Sequence, residues 1–452
     1  MKKTIRPVIL GLGLTGGSIA LLIILSVLPI DRENYQEKPF YGLMMKRIGT
    51  TLAEKKPVSN SGFSVGYGKE NITPHQHTAL AGYGKRRGKL FTDVMDSIFV
   101  RSLVIRNNNA SVAIVSADLL IMPPAITKVL EKRLPEIGFT LDNTYLGATH
   151  THNSMGNWAG GAIGSIYGAY SDSIVQFVAS KIIRSIEQAA SNVLPATIYE
   201  EQIPTQHVVY NRLEEGGPVD PLLRAIEVRR QDSSRLILIS HTAHATCLPS
   251  RNLSLSRDYP GKLVDNLEQK GYAFALFLAG AVGSHSCQAP PEGENYPAWV
   301  ANELTNQLMA NKSNLRLIKD SSLNMLRIPL ALPPAQAKIS KDWRLRPYLF
   351  NWIMGKHSVF ITKLTIGNMT MLGTPCDFSG ELNRPLDSLA TLNGQSALVT
   401  SFNGGYIGYV TPLRHYDVDH YETRLMNWYG PGTGEYLVEC LSELIENQEQ
   451  AN

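Results

Sequence analysis

The sequence predicts an α/β domain in which helices flank a layered, mixed β-sheet, preceded by one N-terminal transmembrane helix. Two observations carry the prediction. From Phe63 onward, short runs of Val, Ile and Leu alternate with longer stretches whose apolar residues recur at three- and four-residue spacing, the marks of buried strand and amphipathic helix. Ahead of them, residues 7–30 form an almost unbroken apolar run without a charged residue.

That run exceeds the roughly 20 residues that cross a hydrocarbon core. Leu25-Ser26-Val27-Leu28-Pro29-Ile30 offers no small-x-small cleavage site, which favours a retained anchor over a signal peptide. Lys2, Lys3 and Arg6 lie before the run, and Asp31 and Glu33 temper Arg32 after it. The positive-inside rule then leaves the N-terminus in the cytoplasm and the rest of the chain across the membrane, on the periplasmic or extracellular side. Residues 1–30 are therefore expected to be a tip and signal anchor. Residues 31–60, polar and without a sustained period, are expected to be a stalk, and 61–452 one large domain free of repeats and linkers.

Strands are expected at 97–105, 111–116, 144–148, 235–241, 273–278, 360–366 and 397–401. Helices are expected at 125–134, 172–193, 261–270, 298–311, 378–392 and 434–446. A composition of 43% hydrophobic against 18% charged residues suits a folded protein. The formal charge of +4 is small for 452 residues, and no dense Lys/Arg stripe would track a phosphate backbone, so nucleic acid is not an expected partner. Cys247, Cys287, Cys376 and Cys440 form no CxxC pair; the compartment permits disulfides, and their pairing stays open.

In such sheets ligands bind in the loops at the carboxyl ends of strands, and several of these loops carry chemistry. The strand at 144–148 runs into Thr149-His150-Thr151-His152 and then a Gly-rich segment through Gly161. Histidines two apart on extended chain share a face, and such a pair suits zinc or copper, although two surface histidines would look the same. The strand at 235–241 leads into His241-Thr242-Ala243-His244; a spacing of three admits one of the two to a common site. The strand at 273–278 leads into Gly280-Ala281-Val282-Gly283-Ser284-His285-Ser286-Cys287, which is not a Gly-x-Ser-x-Gly elbow. Asp377 follows an apolar strand at an expected helix start, where a carboxylate also caps. The segment from Phe402 through Tyr406, Tyr409 and Tyr421 is dense in Tyr and Gly.

In order and spacing these motifs resemble the neutral, non-lysosomal ceramidases, zinc amidohydrolases that release the fatty acid from N-acylsphingosine. The likeness runs over roughly residues 61–446. It includes Leu80-Ala81-Gly82-Tyr83, Val115-Ser116-Ala117-Asp118, the His150/His152 core, Asn211-Arg212, His244-Ala245-Thr246, Ser256-Arg257-Asp258-Tyr259-Pro260-Gly261, the Gly283-x-x-Ser286 turn and the Tyr406 to Tyr421 stretch. The resemblance implies one zinc ion held by His150, His244, Asp377 and Tyr409. It implies a catalytic Ser286, with His152, Arg212 and Tyr421 around the scissile amide and Gly82 lining the substrate site. A ceramide-like lipid is the implied substrate, and the expected anchor would hold the site near it.

The chain departs from the family in three places. Pro375-Cys376-Asp377 stands where the family has Pro-Gly-Glu, which leaves Glu381 as the other candidate acidic ligand. Gly283-Ser284-His285-Ser286 replaces Gly-Asp-Val-Ser and puts His285 beside the nucleophile position. The chain ends near residue 450, so the family's C-terminal immunoglobulin-like domain is expected to be absent. The other readings are hydrolysis of a different N-acyl or ester-linked lipid or envelope compound, and a non-catalytic envelope protein on the same fold.

Overall fold

The computed structural model describes residues 25–54, 62–311, 314–355 and 358–446. The expected membrane span lies mostly outside the described residues. Among those described, no helix is long and apolar enough to cross a membrane.

Alternation along the strands builds two cores at once. In Phe99–Arg106, Val100 and Val104 face one hydrophobic cluster while Leu103 and Ile105 face another, and Arg235–His241 divides Ile237 and Ile239 from Leu236 and Leu238 in the same way. A strand buried on both faces reads as a continuous apolar run, which is why these segments were visible in sequence. One cluster packs the sheet against the helices Pro124–Arg133, Asp172–Ser191, Asp258–Gln269 and Tyr296–Ala310. The other packs it against a second sheet. Behind that second sheet lie Pro39–Glu54, Asn383–Leu392 and Thr433–Glu446, so the layers run helix, sheet, sheet, helix.

The larger sheet has the order Phe274–Ala279, Arg235–His241, Leu222–Arg230, Leu194–Pro204, Phe63–Asn71, Phe99–Arg106, Ser111–Ala117, Thr144–Ala148. Its interior pairs are antiparallel and its outermost pair at each end is parallel. The sheet curls until its two ends approach one another. The Ser116 hydroxyl donates to the Phe277 carbonyl at 2.5 Å, and Arg101 donates to Ala275 at 3.0 Å. A Cβ on Gly147 would lie 2.4 Å from the Leu278 side chain. This closure brings the loops after Thr144–Ala148 and after Arg235–His241 to one place, although their strands lie far apart in sheet order. The second sheet has the order Leu323–Pro329, Phe360–Ile366, Met369–Gly373, Ser396–Thr400.

The structure corrects two expectations and adds a strand for which there was none. Within the segment read as a stalk, Pro39–Glu54 is a helix that buries Met44 and Ile48 against the second sheet's cluster. Its apolar stripe is narrow and interrupted by glycines, so its period is weak in sequence. The helix expected at 378–392 begins only at Asn383, because Asp377-Phe378 pairs in parallel with Tyr409-Val410; a tertiary partner overrides local propensity. Leu222–Arg230, in the middle of the large sheet, was not anticipated. Its charges are neutralised inside the fold, Arg224 by Asp220 and Asp387 and Glu227 by Arg235, and buried ion pairs hide an apolar pattern. The four cysteines are unpaired and buried.

Candidate metal and active site

His150 follows the end of Thr144–Ala148 in the left-handed region, with φ of 62°. The two histidines therefore reach a common site through a turn and not through strand alternation. The His150 Nδ1 lies 2.5 Å from the Leu120 carbonyl and the His244 Nδ1 3.3 Å from the Val282 carbonyl. With those N–H groups committed to backbone oxygens, each Nε2 presents a lone pair inward. The Nε2 atoms of His150 and His244 are 2.8 Å apart, those of His152 and His244 2.9 Å, and those of His150 and His152 3.2 Å.

Asp377 completes the cluster from the second sheet. Its Oδ1 lies 3.3 Å from His150 Nε2 and, though buried, has no hydrogen-bond partner, while Oδ2 accepts from the Tyr406 hydroxyl at 2.5 Å. The Tyr409 hydroxyl is 3.5 Å from His244 Nε2, and the two rings are stacked. Facing lone pairs and an orphaned carboxylate oxygen are costly in a buried site unless a cation joins them. Imidazole nitrogens with a carboxylate and a phenol oxygen form a donor set that suits zinc; the residues fit the ion that the resemblance implies. Burial first, then Arg212 and the neighbouring imidazoles, pushes His244 well below the ordinary imidazole range; burial, His150 and Arg212 do the same to His152. Both are therefore neutral near pH 7, the form that binds metal.

Around this centre stand the other anticipated residues. Arg212 pairs with Glu422 at 2.8 Å, donates to the Gly283 carbonyl at 3.1 Å and lies 5.5 Å from the Tyr409 ring centroid. Tyr421 is half exposed, its ring edge-on to Tyr409 at 6.0 Å. Ser286 is buried in the short strand His285–Cys287, whose backbone bridges His244. Gly82 has φ of 106°, and a Cβ there would sit 2.5 Å from the His152 Cα, so only glycine lets the two segments meet.

Three further residues lie outside this cluster. Glu381 is engaged elsewhere, by Asn211, Arg414 and His415, leaving Asp377 as the acid at the centre. His285 points away from the site: its Nε2 accepts from the Asp220 amide at 2.8 Å and its Nδ1 meets the Ser284 hydroxyl at 2.9 Å. Of the pair at 241 and 244, His241 is buried beside Thr205 and takes no part.

The sequence did not announce several supports. Tyr406 holds Asp377; its signal was its place in the Tyr/Gly run, three residues before Tyr409. Phe402 stacks on the His150 ring at 4.1 Å. Buried Arg86 donates to the carbonyls of Ala81, His152, Ser250 and Asn252 and to Asn153 Oδ1, which fixes the histidine loop; nothing in its sequence context marked it. Beside Arg212 a cavity of about 840 Å³ opens, lined in part by Tyr210, Asn211, Cys287, Gln288, Tyr296 and His420.

Residues 63–216 match the family described as neutral/alkaline non-lysosomal ceramidase, N-terminal. Among solved structures, a neutral ceramidase from Pseudomonas aeruginosa superimposes with a TM-score of 0.73 at 17% identity, covering 87% of this chain and 75% of that one. A ceramidase complexed with C2 gives 0.72 at 17% identity, covering 85% and 75%. Over residues 63–216 the chain is thus similar to the neutral/alkaline ceramidases, and its fold is that of the two solved ceramidases.

Proposed function

We propose that the chain cleaves the N-acyl amide of ceramide or a ceramide-like lipid and releases the fatty acid, with one zinc ion held by His150, His244, Asp377 and Tyr409. The observation that carries this reading is the buried convergence of inward Nε2 lone pairs with the orphaned Asp377 Oδ1. Such an ion lends Lewis acidity to an acyl carbonyl and to water.

The chain's own residues do the rest. Arg212, its plane set by Glu422 and the Gly283 carbonyl, holds the carbonyl oxygen as it gains charge, a role whose loss costs about 10²–10³ in rate. Tyr421 flanks the same position from the solvent side. His152, neutral through burial, accepts a proton and delivers it to the departing nitrogen. Ser286, beside His244, attacks or orients the attacking water, and Ser286→Ala distinguishes the two: turnover near the wild-type rate removes the serine from the mechanism.

The test of the whole reading is metal analysis of the purified chain with fatty-acid release from N-acylsphingosine. Neither zinc nor release would sink it. The partly polar lining of the cavity beside Arg212 (Asn211, Gln288, His420) favours keeping a second substrate class, other N-acyl or ester-linked lipids, which competition between ceramide and N-acyl amino acids resolves. The same reading places the domain on the extracytoplasmic side of a membrane, anchored through residues 7–30; its support is the uncharged run and the flanking charges.

A further inference from the structure

The helix Pro347–Met354 is apolar almost all round, yet Phe350 is its only buried residue. Trp352 is 82% exposed, Tyr348 57%, Ile353 38%, and Trp343 just before the helix 49%. Single exposed apolar groups are ordinary, but a contiguous patch marks an interaction surface.

The chain enters the described fold at this patch. Tyr348 donates its hydroxyl to the Leu25 carbonyl at 2.5 Å, and Val27–Pro29 pairs antiparallel with Trp343–Leu345. The residues immediately before Leu25, 7–24, are without charge in the sequence. If that run enters a bilayer, the lipid surface is held at Leu25 and therefore at Tyr348. Trp352, four residues on and on the same helix face, lies only about 6 Å further along the axis. The segment 338–346 adds Lys341, Arg344 and Arg346 against Asp342, while Lys338 is turned inward onto Tyr416. Aromatic side chains with flanking cations are the composition that settles at a membrane interface carrying anionic lipid.

On its inner side the same helix backs onto the site. The Phe350 ring is 5.7 Å from Trp428, Trp428 is 5.4 Å from Tyr406, and Tyr406 holds Asp377.

We propose that Pro347–Met354 with Trp343 forms a bilayer-docking face, through which the catalytic domain lies on the leaflet and takes its lipid substrate without passage through water. This inference rests on the anchored lipid-hydrolase reading above.

The test uses the full chain reconstituted in phosphatidylcholine/phosphatidylglycerol vesicles, compared with the double variant Trp352→Ser/Ile353→Ser, whose side chains are exposed. Brominated phospholipids are expected to quench wild-type tryptophan fluorescence, and the double variant is expected to lose that component. Hydrolysis of a long-chain N-acyl substrate in the vesicles should fall about 10-fold, while hydrolysis of a short-chain soluble substrate is unchanged. A chain that co-floats with vesicles but shows no quenching difference overturns the docking face alone, as would the case in which a second copy or residues 1–24 cover the helix. Equal loss on both substrates overturns it too, because the helix would then act on the site itself. A chain that fails to co-float overturns the anchor reading and this face with it.

Discussion

Among the described residues stand two groups of metal-ligand residue types, His150/His152/His244 and Glu214/Glu381/His415, and they differ in what surrounds them. In the second, Glu381 is already matched by the guanidinium of Arg414, by His415 at 3.0 Å and by the Asn211 amide at 3.0 Å. In the first, the imidazole lone pairs face one another and Asp377 Oδ1 has no donor. Residue type is the same in kind; only one group leaves unbalanced acceptors in a buried space. A ligand cluster therefore indicates a metal when its acceptors lack donors, and an ordinary ion-pair network when they have them.

The sharpest way to break the comparison is Asp377→Asn. Apparent zinc affinity and fatty-acid release are both expected to fall more than about 100-fold, since even the outer partners of ligands account for 10–100-fold; stoichiometric zinc after dialysis would place the ion elsewhere. Tyr406→Phe removes the donor to Asp377 Oδ2 and is expected to weaken metal binding about 10-fold. Chelator competition measures this, and the absorption spectrum of the cobalt-substituted protein should shift as the carboxylate reorients.

Glu381→Gln acts on the other group. Zinc content should not change, while unfolding in urea should show a loss of about 1–3 kcal/mol from the broken buried network. A last test concerns a histidine outside both groups. Burial pushes His241 down to about 3, against about 6.5 in the unfolded chain. The unfolded state therefore binds a proton that the native state refuses. The contribution is fully present above about pH 6.5 and is lost as pH falls toward about 3, by up to about 1.4 kcal/mol per unit. His241→Gln should flatten the acid limb of stability in that window, as measured by urea unfolding at pH 4 and pH 7.

Parts of this architecture were legible because burial on both faces writes itself as an apolar run. Thr144–Ala148, Arg235–His241 and Phe360–Ile366 have the bounds expected of them. Leu222–Arg230 was not legible, because Arg224 and Glu227 look like surface residues until Asp220, Asp387 and Arg235 are placed beside them. At the site, His150 and His152 share a centre as the spacing suggested, but by a left-handed turn that no alternation rule describes. Choosing Asp377 over Glu381 required the positions of Arg414 and His415.

By itself, then, the amino-acid order determined which segments are strands and helices wherever burial imposes a period. Together with the family likeness it named the residue types of the site. The tertiary structure decided which of them meet, because the two ends of a curled sheet and a loop of the second sheet become neighbours only when the layers pack. Side-chain chemistry is local to the chain, whereas the balance of donors and acceptors around a buried atom belongs to the whole fold.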